Sequence, residues 1–389
     1  LPVRSHAERL SSGERGLSLA ALRGLRTFFA AHNRLDVTME NVCKEVGCET
    51  SVCALTRSTG LSLAESVVLV AAEQGEDTSA LVGRATTFFS YSWTGTKLGD
   101  MLGAIEPKLE ELEAADGVRR YVWVDMFAAS QNLLAGVYRD DARYPRGTPG
   151  YKARKEDTDS IFDDALDAIG ELLLYASPLT AEWLAPEHAF LLPERGEARS
   201  GWMRRGPGAM TRAWCMFEMV KALAKRATLH VVLAPADVAG FGKLLVKEFG
   251  ELAKIIANLD ARDAQISKVE DREYILGQVA ALDGGLGAVT ARVCEAMNGW
   301  LVAQGKAELA LLPAAERGTS ELLLKVARLL KDRGDYAAAE PLYCEQMQVC
   351  RETYGDRHES TLASIGNLAS LLRAKGDLAA AEPLCREAL

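Results

Sequence analysis

The chain of 389 residues is long enough for two or three domains that each bury a core, and its 45 Lys+Arg against 54 Asp+Glu leave a net charge of −9. That charge is spread along the chain rather than gathered in a block, which excludes the basic footprint of a general nucleic-acid binder. The longest apolar runs, such as Ser66 to Ala72, fall well short of the ~20 residues that span a bilayer, so no transmembrane helix is expected.

The opening Leu-Pro-Val-Arg has neither an initiating Met nor the charged start and apolar core of a secretory signal, and it reads as the start of a cut piece. Residues 1–80 read as mostly helical, with Ser58-Thr59-Gly60-Leu61-Ser62 marking a turn and a helix start. Within them Cys43, Cys48 and Cys53 are spaced by five, which suits neither a zinc site nor a helix face, so no metal is expected there. The eight cysteines are dispersed along the chain, which predicts reduced thiols in a cytoplasmic protein.

From 81 onward short apolar runs alternate with amphipathic helical stretches, the rhythm of an α/β domain with a parallel sheet. Strands are expected at 86–91, 121–125, 171–176 and 228–233, and helices at 98–112 and 211–226. The connections 139–158 and 185–210 are long, and loops of that length are usually functional or disordered. Helices follow at 237–258, 266–281 and 286–304. The run Gly284-Gly285-Leu286-Gly287 lacks the Lys-Ser/Thr of a phosphate-binding loop and reads as a helix break.

The segment Gly334-Asp335-Tyr336-Ala337-Ala338-Ala339-Glu340-Pro341-Leu342 returns as Gly376-Asp377-Leu378-Ala379-Ala380-Ala381-Glu382-Pro383-Leu384, a period of 42 residues. Val326-Ala327-Arg328-Leu329-Leu330 and Leu368-Ala369-Ser370-Leu371-Leu372 match in the same register, giving a helix, a Gly turn and a second helix per repeat. This resembles the tetratricopeptide repeat in its kinesin-light-chain form over 318–389, which implies a solenoid that binds other proteins or peptides, with further repeats in a longer protein. The expected division is thus 1–80 helical, 81–304 α/β, 305–317 linker and 318–389 repeats.

In open parallel sheets, ligands bind beyond the carboxyl ends of the strands. Ser90, Tyr91, Ser92 and Trp93 end the first expected strand and Asp125 the second. Singly, Ser or Asp at such a junction also reads as a helix cap. Trp214 and Glu218 lie four apart and share one helix face, where a carboxyl beside an indole in a cleft can have its chemistry tuned. On a surface the same Glu would pair with Lys221 or Arg212.

Phe89-Ser90-Tyr91-Ser92-Trp93, followed much later by Trp214-Cys215-Met216-Phe217-Glu218, resembles TIR domains. Tyr121-Val122-Trp123-Val124-Asp125 with Gln131-Asn132, and the Arg212-x-Trp214-x-x-x-Glu218 spacing, are similar to the related fungal heterokaryon-incompatibility domains. The resemblance covers about 84–235 and implies a flavodoxin-like α/β fold. Many TIR domains break the nicotinamide–ribose bond of NAD, which would make Glu218 the catalytic residue. Ser90, Tyr91, Ser92, Trp93, Asp125, Arg212 and Trp214 would line the NAD site, with NAD as substrate and no tightly bound cofactor. Tyr91 and Trp93 would stack on a flat base or, alternatively, pack in the core. The family's Arg-Asp-x-x-Pro-Gly loop is replaced by Phe127-Ala128-Ala129-Ser130-Gln131-Asn132. The resemblance also implies self-association into a homo-oligomer, and the alternative function is a non-enzymatic signalling adaptor.

Overall fold

The computed structural model describes residues 10–93, 95–132, 161–162, 164–167, 169–177, 209, 212–257, 277, 280–281 and 285–388. The chain divides into two compact units, one of residues 1–238 with 260–293 and one of 239–259 with 294–389. The connection 139–158, nearly all of 185–210 and most of the helix expected at 266–281 lie outside the described residues. No described helix is long and apolar enough to cross a membrane.

The first unit is built on β1 (Gly16–Ser18), β2 (Val82–Gly83), β3 (Thr87–Ser90), β4 (Tyr121–Trp123), β5 (Glu171–Tyr175) and β6 (Thr228–Val232). They form one six-stranded sheet in the order β2-β1-β4-β3-β5-β6. Strands β3 to β6 run parallel, while β1 is antiparallel to both β2 and β4. These four parallel strands are the ones expected from the sequence, β3 shorter at both ends and the other three only at their carboxyl ends. Numbered along the chain they stand 2-1-3-4, the order of a flavodoxin-like sheet, whose crevice opens between its first and third strands.

Alternation along β3 sorts its side chains to two covered faces. On one, Phe89 packs with Val122, Leu173 and Tyr175 against α1 (Leu19–Ala31), α2 (Met39–Lys44) and α5 (Leu98–Asp116). On the other, Phe88 stacks on Trp123 at 4.9 Å between centroids, Trp123 meets Phe162 edge-on, and Phe162 stacks on Trp214 of α7 (Ala213–Ala224). Coverage of both faces is what strands apolar on both sides require.

The boundary drawn at 80/81 runs through this sheet. Residues 1–80 do carry α1, α2, α3 (Val52–Leu55) and α4 (Leu63–Glu73), yet they also supply β1. A Cβ on Gly16 would lie 2.8 Å from Tyr121 Cβ and 3.1 Å from the Gly83 carbonyl oxygen, so only glycine lets β1 fit between its neighbours. Three residues carry no readable periodicity, which is why the sequence hides this strand.

The second unit contains most of α8 (Pro235–Ala257) and α9 (Gly285–Ala310), then α10 (Ala314–Thr319), α11 (Glu321–Asp332), α12 (Tyr336–Tyr354), α13 (Glu359–Lys375) and α14 (Leu378–Glu387). The linker expected at 305–317 is largely helical: Lys306-Ala307-Glu308-Leu309-Ala310 are strong helix formers that extend α9, and Pro313 ends the run. Phe241 of α8 stacks on Trp300 of α9, and Gly305 leaves room for Val326 and Phe249. Residues 294–304, assigned by the sequence to the α/β domain, therefore pack with the repeats.

The 42-residue period is visible in burial. Leu322, Leu323, Val326, Ala327 and Leu330 are buried in α11, and their counterparts Ser364, Ile365, Leu368, Ala369 and Leu372 in α13. Gly334 and Gly376 take φ of 78° and 91°, a left-handed turn that a side chain would strain. Asp335 and Asp377 then cap the second helix of each pair by accepting from the amides of Ala338 and Ala380.

Candidate functional site

β3 ends at Ser90, beside the crevice that the strand order creates. Because Ser90 has the parity of Phe88, it faces α7, and its hydroxyl donates to Glu218 Oε2 at 2.6 Å. Glu218 is 7% exposed. Burial raises its pKa from 4.5 to about 8; the Ser90 hydrogen bond and the Arg212 charge oppose that rise, and the charge of Asp125 adds to it. At neutral pH this carboxyl holds its proton.

Cys215, one turn before Glu218, is buried and donates its thiol to the Tyr91 carbonyl at 3.3 Å. Burial first, and then the charge of Glu218, push that thiol above its ordinary pKa, so it serves as a neutral donor rather than a nucleophile. Together the Ser90 and Cys215 bonds fasten α7 to the end of β3. Arg212 is the N-cap residue of α7, and its carbonyl accepts from the amide of Met216.

On the other side of the strand end, Tyr91 donates its phenol to Asp125 Oδ1 and Trp93 its indole N–H to Oδ2, both at 2.7 Å. The amide of Met126 also donates to Oδ1 at 2.6 Å. Asp125 opens α6 (Asp125–Ala128), directly after β4. Burial raises its pKa, against these three donors. Glu218 and Asp125 thus both receive neutral donors. At the opposite end Glu171 and Asp116 pair with Arg120.

Tyr91 is 6% exposed and tilts against Phe89 at 5.2 Å, so its ring offers no face to a base. Trp93 is half-buried. Ser92 is buried, and its carbonyl accepts from the Thr96 hydroxyl at 2.6 Å. Trp214 sits in the aromatic column with Phe162 and Phe217. Ser90 and Glu218 are brought together, as are Tyr91, Trp93 and Asp125; Ser92 and Trp214 make their described contacts elsewhere.

The segment after α6 gives structural support to this corner. Gln131 Nε2 donates to the Asp125 carbonyl at 2.9 Å, Ser130 to the Gly60 carbonyl at 2.7 Å, and Asn132 Nδ2 to the Cys53 carbonyl and the Thr56 hydroxyl. Arg15 reaches the Ala128 carbonyl at 3.2 Å. The first 80 residues therefore hold the Asp125 corner in place. No local signal in the sequence marks this, since the partners Arg15, Cys53, Thr56 and Gly60 are distant along the chain. Among the described residues no cluster of His, Cys, Asp or Glu has a metal-binding arrangement.

By architecture this is an α/β domain with a mostly parallel six-stranded sheet followed by stacked helical repeats. Residues 318–389 match the family model of the tetratricopeptide repeat. No curated protein and no solved structure matches the chain.

Proposed function

We propose that the α/β unit is a TIR-like domain that hydrolyses NAD at the nicotinamide–ribose bond, with Glu218 as the catalytic carboxylate and the repeats as a protein-binding module. The observation that carries this reading is a buried carboxyl, Glu218, at the carboxyl end of the first parallel strand, with its pKa raised to about 8. Nicotinamide departs as a neutral molecule and needs no acid. What the reaction needs is negative charge beside the oxocarbenium-like ribose. Glu218 supplies it once ionised, and the positive pyridinium of an adjacent NAD favours that ionisation. Asp125, held by Tyr91 and Trp93, adds a second polar wall to the same crevice.

The test is nicotinamide release from NAD by the full chain at high protein concentration, for the parent and for Glu218→Gln, which keeps the shape of the side chain. A loss of about 10²-fold or more is expected from removing such a group. Equal release by the two proteins rejects the catalytic assignment.

A second reading, a non-enzymatic adaptor, is favoured by the short Ser90–Glu218 bond, which is also what a purely structural tie between β3 and α7 would need. It predicts no nicotinamide release at any concentration, together with concentration-dependent self-association in light scattering.

A further inference from the structure

Cys43 and Cys53 stand on neighbouring short helices, α2 and α3, behind the Asp125 corner. The Cys43 thiol is 2% exposed and has two acceptors within reach, the Cys53 sulfur and, at 3.6 Å, Gln131 Oε1. Cys53 is only half-buried, packed on the edge of the same core. Gln131 in turn donates to the Asp125 carbonyl, and Asn132 to the carbonyl of Cys53 itself. The two sulfurs and the loop that frames Asp125 thus form one hydrogen-bonded set.

We propose that Cys43 and Cys53 are a dithiol pair oxidised by hydrogen peroxide, and that closing them to a disulfide loosens the Asp125 corner. The regulatory part of this rests on the reading of Asp125 as part of the site; the chemistry of the pair does not.

Cys53, the more accessible sulfur, reacts first. Its thiolate attacks the O–O bond, an S–O bond forms, and hydroxide leaves and takes up a proton. The Cys43 sulfur then attacks the sulfenic sulfur: the S–S bond forms, the S–O bond breaks, and the Cys43 proton leaves with the hydroxide as water. Two thiols are oxidised and one peroxide is reduced to two waters. The bond to Cys53 and then burial raise the Cys43 pKa, so its proton must be given up as the S–S bond forms. In the disulfide Cys43 has no S–H to give to Gln131.

The competitor is Cys48. It is also partly exposed, and a hydrogen bond with Thr50 at 3.3 Å lowers its pKa.

The full chain would be titrated with hydrogen peroxide, blocked with an alkylating agent and digested with trypsin without reduction. Cleavage after Arg34, Lys44 and Arg57 puts Cys43 in peptide 35–44 and Cys53 with Cys48 in peptide 45–57. A cross-link between the two peptides is expected in the parent and in Cys48→Ser, and its loss in Cys53→Ser. A cross-link that survives Cys53→Ser, or none at peroxide levels that oxidise Cys48, overturns the pair.

Hydrogen exchange of segment 125–132 then reads the coupling, with amide exchange about threefold or more faster in the oxidised chain. Unchanged exchange overturns the coupling even if the disulfide forms. Failure of the nicotinamide assay leaves both measurements intact, so the two ideas fail separately.

Discussion

Glu218 is held at the end of β3 by the hydroxyl of Ser90, and its protonation makes stability depend on pH. Its folded value of about 8 lies above the ordinary 4.5, so the folded chain keeps a proton that the unfolded chain releases. The contribution is complete below about pH 4.5 and is lost as pH rises through about 8. Glu218→Gln is neutral throughout and escapes this loss. The variant should match the parent near pH 5 and exceed it near pH 9 by on the order of 2–4 kcal/mol, measured by urea unfolding at the two pH values. A parent that gains on the variant with rising pH would reverse the assignment. Ser90→Ala removes the donor that favours the ionised form. It should cost about 1–3 kcal/mol and move the carboxyl titration, followed by carbon-13 NMR, further upward; a titration that stays in place would show that the bond is idle.

At the level of elements, α9 carries two glycines with opposite expectations. A Cβ on Gly305 would lie 2.6 Å from Val326 Cγ2 and 2.9 Å from Phe249 Cε2, whereas one on Gly299 would meet nothing within 4 Å. Gly305→Ala should therefore destabilise by about 1–3 kcal/mol through overpacking against a stiff β-branched side chain. Gly299→Ala should stabilise by up to about 1 kcal/mol through helix propensity. Urea midpoints of the two variants check the pair, and shifts of the same sign would refute the packing given to α9. The contrast also locates what a sequence can reveal. The four parallel strands are legible because each is a short run apolar on both sides, and the repeat because it recurs. β1 is not, being three residues long, and the partner of α9 is not, because an apolar stripe says that a helix packs but never on what. The site divides in the same way. Sequence order places Ser90 and Asp125 at strand ends and Glu218 on a helix, but the Ser90–Glu218 bond joins residues 128 positions apart. The ties of Gln131 to Cys43 and of Asn132 to Cys53 depend on three segments meeting.

For the whole molecule, the chain leaves the first unit near 239, returns to it at 260 and leaves again at 294, so no single cut separates the two units. A boundary read along the sequence, such as 304/305 or 317/318, must divide a folded unit. The consequence is physical. A fragment 1–317 keeps α8 and α9 but loses α11, whose Val326 lies against Gly305 beside Phe249. The apolar faces carrying Phe249, Leu301 and Val302, buried in the full chain, would lose part of their cover at roughly 25 cal/mol per Å² exposed. The sheet, its crevice and the Cys43–Cys53 pair all belong to the first unit and would retain their own packing. The fragment should therefore open locally rather than globally. Under limited proteolysis, cleavage within 239–257 and 294–310 is expected at least about tenfold faster than in the full chain, while 86–132 stays equally protected. Equal cleavage rates in 239–257 would mean that α8 is stabilised without the repeats, and the partition of the chain into these two units would have to be redrawn.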